Sequence, residues 1–160
     1  MNFDKRPKKR IYQSMIFSQS QSKIFIGLLG PSPIPYLKAI NYKEYEHCIL
    51  YETDIKTFIS SKGRLGNIFP TVTPVYGSIM SAQVDPNAFY DFDFCYGIKQ
   101  IEKYLPEIVK IKQFTLTCAL RGTDRQKTIA IFKKYLKTNN FIVMPNYNDG
   151  SGPMLLIYKY

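Results

Sequence analysis

The feature that most constrains this chain is an alternation. Short apolar runs of strand character take turns with segments of helical spacing, in the order β-α-β-α-β-β-α-β-α-β-β. Strands separated by helices must be joined by right-handed crossovers, so the pattern predicts an α/β protein. Its expected core is a three-layer, open, mostly parallel sheet of about seven strands. The closing stretch FIVMPNYNDGSGPMLLIYKY reads as two strands around an Asn148-Asp149-Gly150 turn, which adds a C-terminal antiparallel hairpin.

Individual elements follow from local chemistry. Residues 23–30 (KIFIGLLG) form a buried strand ending in glycines. Pro31, Pro33 and Pro35 come next and suit a first helical turn, where a missing N–H costs nothing. Tyr36, Leu37 and Ile40 carry that helix. A second strand spans 47–54, and a helix after it stops at Gly63. Short strands are expected around 72–76 and over 88–97. Ile101, Tyr104, Leu105 and Ile108 lie on one helical face, which Pro106 kinks or ends. A strand over 112–122 precedes a helix over 124–140, capped by Asp124, with Ile129, Phe132 and Leu136 on its inner face.

At the N-terminus, residues 1–10 read as a flexible basic arm. Residues 11–22 form a short helix with Ile11, Met15 and Ile16 on one side. The domain organisation is therefore an arm and helix over 1–22 and one Rossmann-like domain over 23–160.

Hydrophobic residues make up 45% of the chain, enough for one ordinary core. No apolar run approaches the roughly 18 residues of a membrane span, and no signal-peptide pattern follows the basic N-terminus. A cytoplasmic protein is expected, in the host cytoplasm if viral. Cys48, Cys95 and Cys118 are odd in number and fall in strands, so they read as reduced thiols. His47 is the sole histidine, and no standard spacing makes a metal site with those cysteines. Lys and Arg outnumber Asp and Glu by 22 to 12. Lys5, Arg6, Lys8, Lys9 and Arg10 cluster in the arm, and Arg121 and Arg125 flank the start of the last helix. These are candidate phosphate contacts, which makes nucleic acid the expected partner; a protein assembly or a homo-oligomer is the other. A solvated basic surface is the plainer reading of the same residues.

The stretch NAFYDFDFCYGIKQ puts Asp91 and Asp93 inside an apolar strand. A buried carboxylate costs several kcal/mol unless it is paired or hydrogen-bonded. Strands of a parallel sheet are normally apolar throughout. Period two places both aspartates on one side of the strand and Phe92 and Phe94 on the other. The acids are therefore expected at a strand end that opens onto a site. The plainer reading has one cap the next helix while the other faces solvent.

This element order, with its closing hairpin, resembles the class I S-adenosylmethionine-dependent methyltransferase fold over about residues 23–160. The family has a glycine-rich loop after its first strand. GLLGPSP stands there, with Gly27 and Gly30 in a degenerate spacing. The family's second strand ends in an acid for the ribose hydroxyls, and LYETD offers Glu52 or Asp54. Ser78 stands where a polar residue meets adenine. The fourth strand faces the methyl group and the substrate, which makes Asp91 and Asp93 the orienting or proton-accepting pair. The resemblance thus implies S-adenosylmethionine as cofactor. FDFC with the TLTCALRG strand is also similar to small methyltransferase-like proteins of phages and mobile elements. The Asn/Asp-Pro-Pro-aromatic motif of amino-group nucleic-acid methyltransferases is missing. Cys95 and Cys118 stand where RNA cytosine-C5 methyltransferases keep two cysteines, although Phe94 replaces the proline before the first.

Two functions follow. One is a methyltransferase acting on DNA or RNA. The other is a catalytically inactive binding or structural protein, a viral or mobile-element accessory that docks nucleic acid or a protein assembly. An open path to Asp91 would favour the first, and bulky side chains over Gly27 the second.

Overall fold

The computed structural model describes residues 7–120, 124–148 and 152–160, leaving aside the side chains of Pro7 and Cys95. The strands are β1 (Ile24–Leu28), β2 (His47–Glu52), β3 (Val72–Tyr76), β4 (Phe89–Gly97), β5 (Gln113–Ala119), β6 (Phe141–Val143), β7 (Tyr147–Asn148) and β8 (Pro153–Lys159). The helices are α1 (Pro7–Phe17), α2 (Pro33–Ala39), α3 (Ile55–Leu65), α4 (Ile98–Ile101), α5 (Leu105–Ile108) and α6 (Arg125–Tyr135). The sheet runs β3-β2-β1-β4-β5-β8-β6, with the two-residue β7 also on β8. β1 to β5 are parallel, and β8 enters antiparallel between β5 and β6. The expected mostly parallel sheet with a closing antiparallel hairpin is what forms. Asp149 and Gly150, at the expected turn, lie outside the described residues.

Two apolar layers sandwich this sheet. One holds Phe17, Phe25, Tyr36, Leu37, Leu50 and Phe89 under α1 to α3. The other holds Tyr90, Phe92, Ile98, Leu105, Phe114 and Phe132 under α4 to α6. The strand order turns back between β1 and β4, so a crevice opens at the C-terminal ends of β1 to β4.

Local signals set most boundaries. The Asp54 carboxylate accepts the Thr57 N–H at the start of α3, and Asp124 does the same for Lys127 at α6. α6 ends at Tyr135, earlier than its periodicity suggests. Gly63 does not stop α3. The helix runs through it to Gly66, whose positive φ of 50° ends it. Pro106 breaks the helical run after β4, which forms α4, a 3-10 turn over Glu102–Tyr104 and α5.

The N-terminus departs most from expectation. Lys8, Lys9 and Arg10 are not in a flexible arm but in the first turns of α1. Ile11 and Met15 are more than half exposed, while Lys9, Gln13, Ile16 and Phe17 face inward. The reason is what α1 packs against. Lys9 meets Asp93, Gln13 meets Asp91 and Phe17 meets Phe89. Four helical residues advance about 6 Å and two strand residues about 6.6 Å, so α1 lies antiparallel along β4 in matching steps. A buried and a partly buried carboxylate select two polar partners, and the helix turns Ile11 outward to supply them.

Candidate active site

Asp91 is fully buried and accepts three hydrogen bonds. Tyr36 Oη donates at 2.6 Å, Thr115 Oγ1 at 2.6 Å and Gln13 Nε2 at 3.3 Å. Burial, with the neighbouring Asp93 charge, raises its carboxyl pKa to about 6; the Thr115 and Tyr36 bonds and Lys9 pull the other way. Burial and the Asp91 charge push the Tyr36 phenol well above its ordinary value. Gly27 makes this arrangement possible, since a Cβ there would stand 2.5 Å from Tyr36 Oη. Neither Asp91 nor Gly27 lines the crevice. Both lie beneath it, in the polar seam that holds α1 and α2 to the sheet.

The crevice encloses about 850 Å³ at the carboxyl ends of the parallel strands. Gly30 and Pro31 line it after β1, Glu52 and Thr53 after β2, and Gly77 and Ser78 after β3. Asp93, Phe94 and Tyr96 line it from β4, and Arg10 from α1. Gly30 has a φ of 59° and open space where a Cβ would stand. The backbone can therefore approach a ligand closely there. One Glu52 oxygen, Oε1, accepts the Asp54 N–H at 2.9 Å. Asp54 itself caps α3, and that bond to the Thr57 N–H lowers its pKa. The choice between the two acids of LYETD thus falls on Glu52 as the crevice residue. Asp54 takes the supporting position beneath it.

Asp93 is the one member of the aspartate pair in the crevice wall. Its Oδ2 holds the buried Lys9 ammonium, while its Oδ1 is buried without a hydrogen-bond partner among the described residues. Neither acid caps α4, whose cap is Gly97, and neither is free in solvent. A register shift between Asp93 and Gly97 bends β4 at the crevice mouth.

On the opposite side of β4 the rings of Tyr90, Phe92, Phe94 and Tyr104 stack in sequence. Centroid spacings are 5.4, 5.8 and 6.5 Å, with interplanar angles of 13°, 24° and 26°. The series starts in the core and emerges in the crevice, where Phe94 and Tyr104 are lining residues. Sequence reasoning assigned Phe94 only to a face and Arg10 only to a basic arm, and it missed Tyr36, Tyr96, Lys103 and Tyr104 as site residues. The one available signal was aromatic residues at every second position of β4.

Other candidates divide. Lys5, Arg6 and Arg121 lie outside the described residues. Lys8 is exposed, but Lys9 is buried against Asp93 and is not presented to a phosphate. The Arg10 guanidinium lies 5.1 Å from the centroid of the Tyr36 ring and donates to Gln13 Oε1 at 2.7 Å. Arg125 donates to the Met144 carbonyl at 2.9 Å and Asn146 Oδ1 at 2.5 Å, which ties α6 to the segment before β7. Cys118 is fully buried, and burial pushes its thiol up to about 12, so it is not a ready thiolate. The Cys95 side chain lies outside the described ones. Among the described residues no cluster suited to a metal ion is present, and no helix is long and apolar enough to cross a membrane.

No family model and no curated protein matches this sequence. Solved structures do match, across nearly the whole chain. TYW2 of M. jannaschii, in complex with AdoMet, superposes with a TM-score of 0.67 at 11% identity, covering 99% of this chain and 76% of its own. A candidate RNA methyltransferase from Pyrococcus horikoshii gives 0.69 at 9% identity, covering 95% and 84%. The N-methyltransferase NodS of Bradyrhizobium japonicum WM9 gives 0.66 at 9% identity, covering 98% of both chains. The fold is methyltransferase-like.

Proposed function

We propose that this protein is an S-adenosylmethionine-dependent methyltransferase acting on nucleic acid. The observation that carries the reading is where the crevice residues stand. Gly30, Glu52 and Ser78 end or follow β1, β2 and β3 of a methyltransferase-like sheet, Asp93 lies on β4, and all four line one crevice. The residues fit the cofactor. Glu52 Oε2 has no protein partner among the described residues, which suits it to accept ribose hydroxyls. Gly30 leaves open space for close approach of a ligand to the backbone. Ser78 supplies a hydroxyl and Ile79 and Met80 an apolar wall for a purine.

S-adenosylmethionine, when bound, supplies an electrophilic methyl group on a sulfonium. The chain contributes mainly orientation, holding the acceptor in line. Asp93, in the crevice wall, is the residue placed to orient the acceptor by accepting a hydrogen bond from its N–H or O–H. Lys9 holds Oδ2 of Asp93, which therefore keeps a fixed rotamer. Asp91 supports from beneath, holding Gln13 of α1 and Tyr36 of α2. The net charge of +10 and the Pyrococcus horikoshii neighbour favour a nucleic-acid substrate.

The inactive-scaffold reading gains one observation and loses another. Tyr36 fills the space over Gly27, and Asp91 has no opening to the crevice. Yet the crevice stays open one step further along, at Gly30 and Asp93. The test is calorimetric titration with S-adenosylmethionine and S-adenosylhomocysteine. Micromolar binding that Glu52→Ala abolishes and Asp54→Ala leaves in place is expected. No heat at millimolar ligand would overturn the proposal.

A further inference from the structure

The ring series on β4 and the cations beside it have no role in cofactor binding. Phe94 and Tyr104 end the stack in the crevice wall, and Tyr96, 58% exposed, lines the same mouth. Lys103 Nζ lies 4.9 Å from the centroid of the Tyr104 ring. Lys99 stands one helical step before Lys103, and both are exposed. Among the described residues neither has a carboxylate within 4 Å, whereas Lys9, Lys110, Lys127 and Lys134 each do. The nearby Glu102 accepts a bond from Tyr135 Oη at 2.8 Å and has Lys134 3.9 Å away. Across the mouth, Arg10 adds a cation while Asp93 is neutralised by Lys9.

We infer that the mouth formed by Phe94, Tyr96, Lys103 and Tyr104, with the exposed Lys99 one helical step from Lys103, binds an unpaired nucleic-acid strand. It rests on the reading above only for what the strand is delivered to. A stack of parallel rings that ends at a crevice offers its last face to another planar ring, and a base has one. Two unpaired cations a helical step apart suit consecutive phosphates of the same strand. A paired base cannot stack on Tyr104, the last ring of the series, because its faces are already stacked within the duplex. The recognition is therefore for a single strand, a loop or an end, and the contact surface is the α4 side of the crevice and not the N-terminal basic cluster.

The test is fluorescence anisotropy with a labelled 12-nucleotide RNA of mixed sequence, free and annealed to its complement. The single strand is expected to bind at least about tenfold tighter than the duplex. Lys99→Glu with Lys103→Glu should weaken it about tenfold and lower the slope of log affinity against log salt by about 1.4. Lys99→Arg with Lys103→Arg should restore it, and Tyr104→Leu should weaken it with little change in that slope. Lys127→Glu with Lys133→Glu, on α6, should have little effect. Equal or tighter duplex binding, or an α6 variant as damaging as the mouth variant, would overturn the inference. Calorimetry on the wild-type protein separates the two proposals. Cofactor binding without single-strand binding sinks this inference alone, and single-strand binding at this mouth without cofactor binding sinks the methyltransferase reading alone.

Discussion

The two faces of β4 solve opposite problems with the same strand. On one face Phe89, Asp91 and Asp93 meet Phe17, Gln13 and Lys9 of α1. On the other, Tyr90, Phe92 and Phe94 stack on one another and on Tyr104. The polar face is specific, since each carboxylate requires a particular partner at a particular height. The aromatic face is continuous, and it ends in a surface that accepts any planar group. A single period-two sequence thus fixes one helix in register and leaves a stacking platform at the crevice. The contrast answers why carboxylates occupy an apolar strand: they are sockets for α1, and one of them also reaches the crevice.

The largest effect expected from breaking this contrast comes from the aromatic face. Phe92→Ala removes the fully buried middle ring and should cost about 4 kcal/mol, measured as a urea midpoint shift. On the polar face, Lys9→Met leaves the Asp93 carboxylate without its partner and should cost about 3 kcal/mol. Lys9→Met with Asp93→Asn should recover most of that loss, which a packing defect alone would not allow. Gly27→Ala drives a methyl into Tyr36 and should cost about 2 kcal/mol; adding Tyr36→Phe should relieve part of it.

A smaller effect sharpens the assignment of Asp91. Its folded pKa, about 6, lies above the ordinary 3.8, so the folded state holds the proton more tightly than the unfolded chain. This group's contribution is therefore complete below about pH 4 and is lost as pH rises towards about 6. The stability difference between wild type and Asp91→Asn, followed by urea unfolding from pH 4 to 7, should move against the wild type across that window. A difference independent of pH would remove the shifted carboxyl from the account.

Much of the sheet was legible because each element carries its own signal. Proline in the first turn of α2, the Asp124 cap and the closing hairpin are local chemistry that any context preserves. What was not legible is pairing at long range. The inward face of α1 was misread because Ile11 and Met15 are the apolar choices, and only the two carboxylates 78 and 84 residues away along the chain reverse that preference. The cue was present as Lys9, Gln13 and Phe17 at steps of four against Asp93, Asp91 and Phe89 at steps of two. Glu52 and Asp54 could not be told apart in sequence because both stand at the end of the expected 47–54 strand. Their division depends on the cap that Asp54 makes with Thr57.

The central claim is that the crevice beyond Gly30, with Asp93 as its acid, is the ligand site, while Gly27 and Asp91 belong to the seam beneath. An amide chemical-shift map recorded during titration with S-adenosylhomocysteine tests this most directly. The account predicts shifts concentrated at Gly30, Glu52, Thr53, Gly77 and Ser78, with α6 and β8 unmoved. Shifts centred on α6 and β8, or none at saturating ligand, would contradict it.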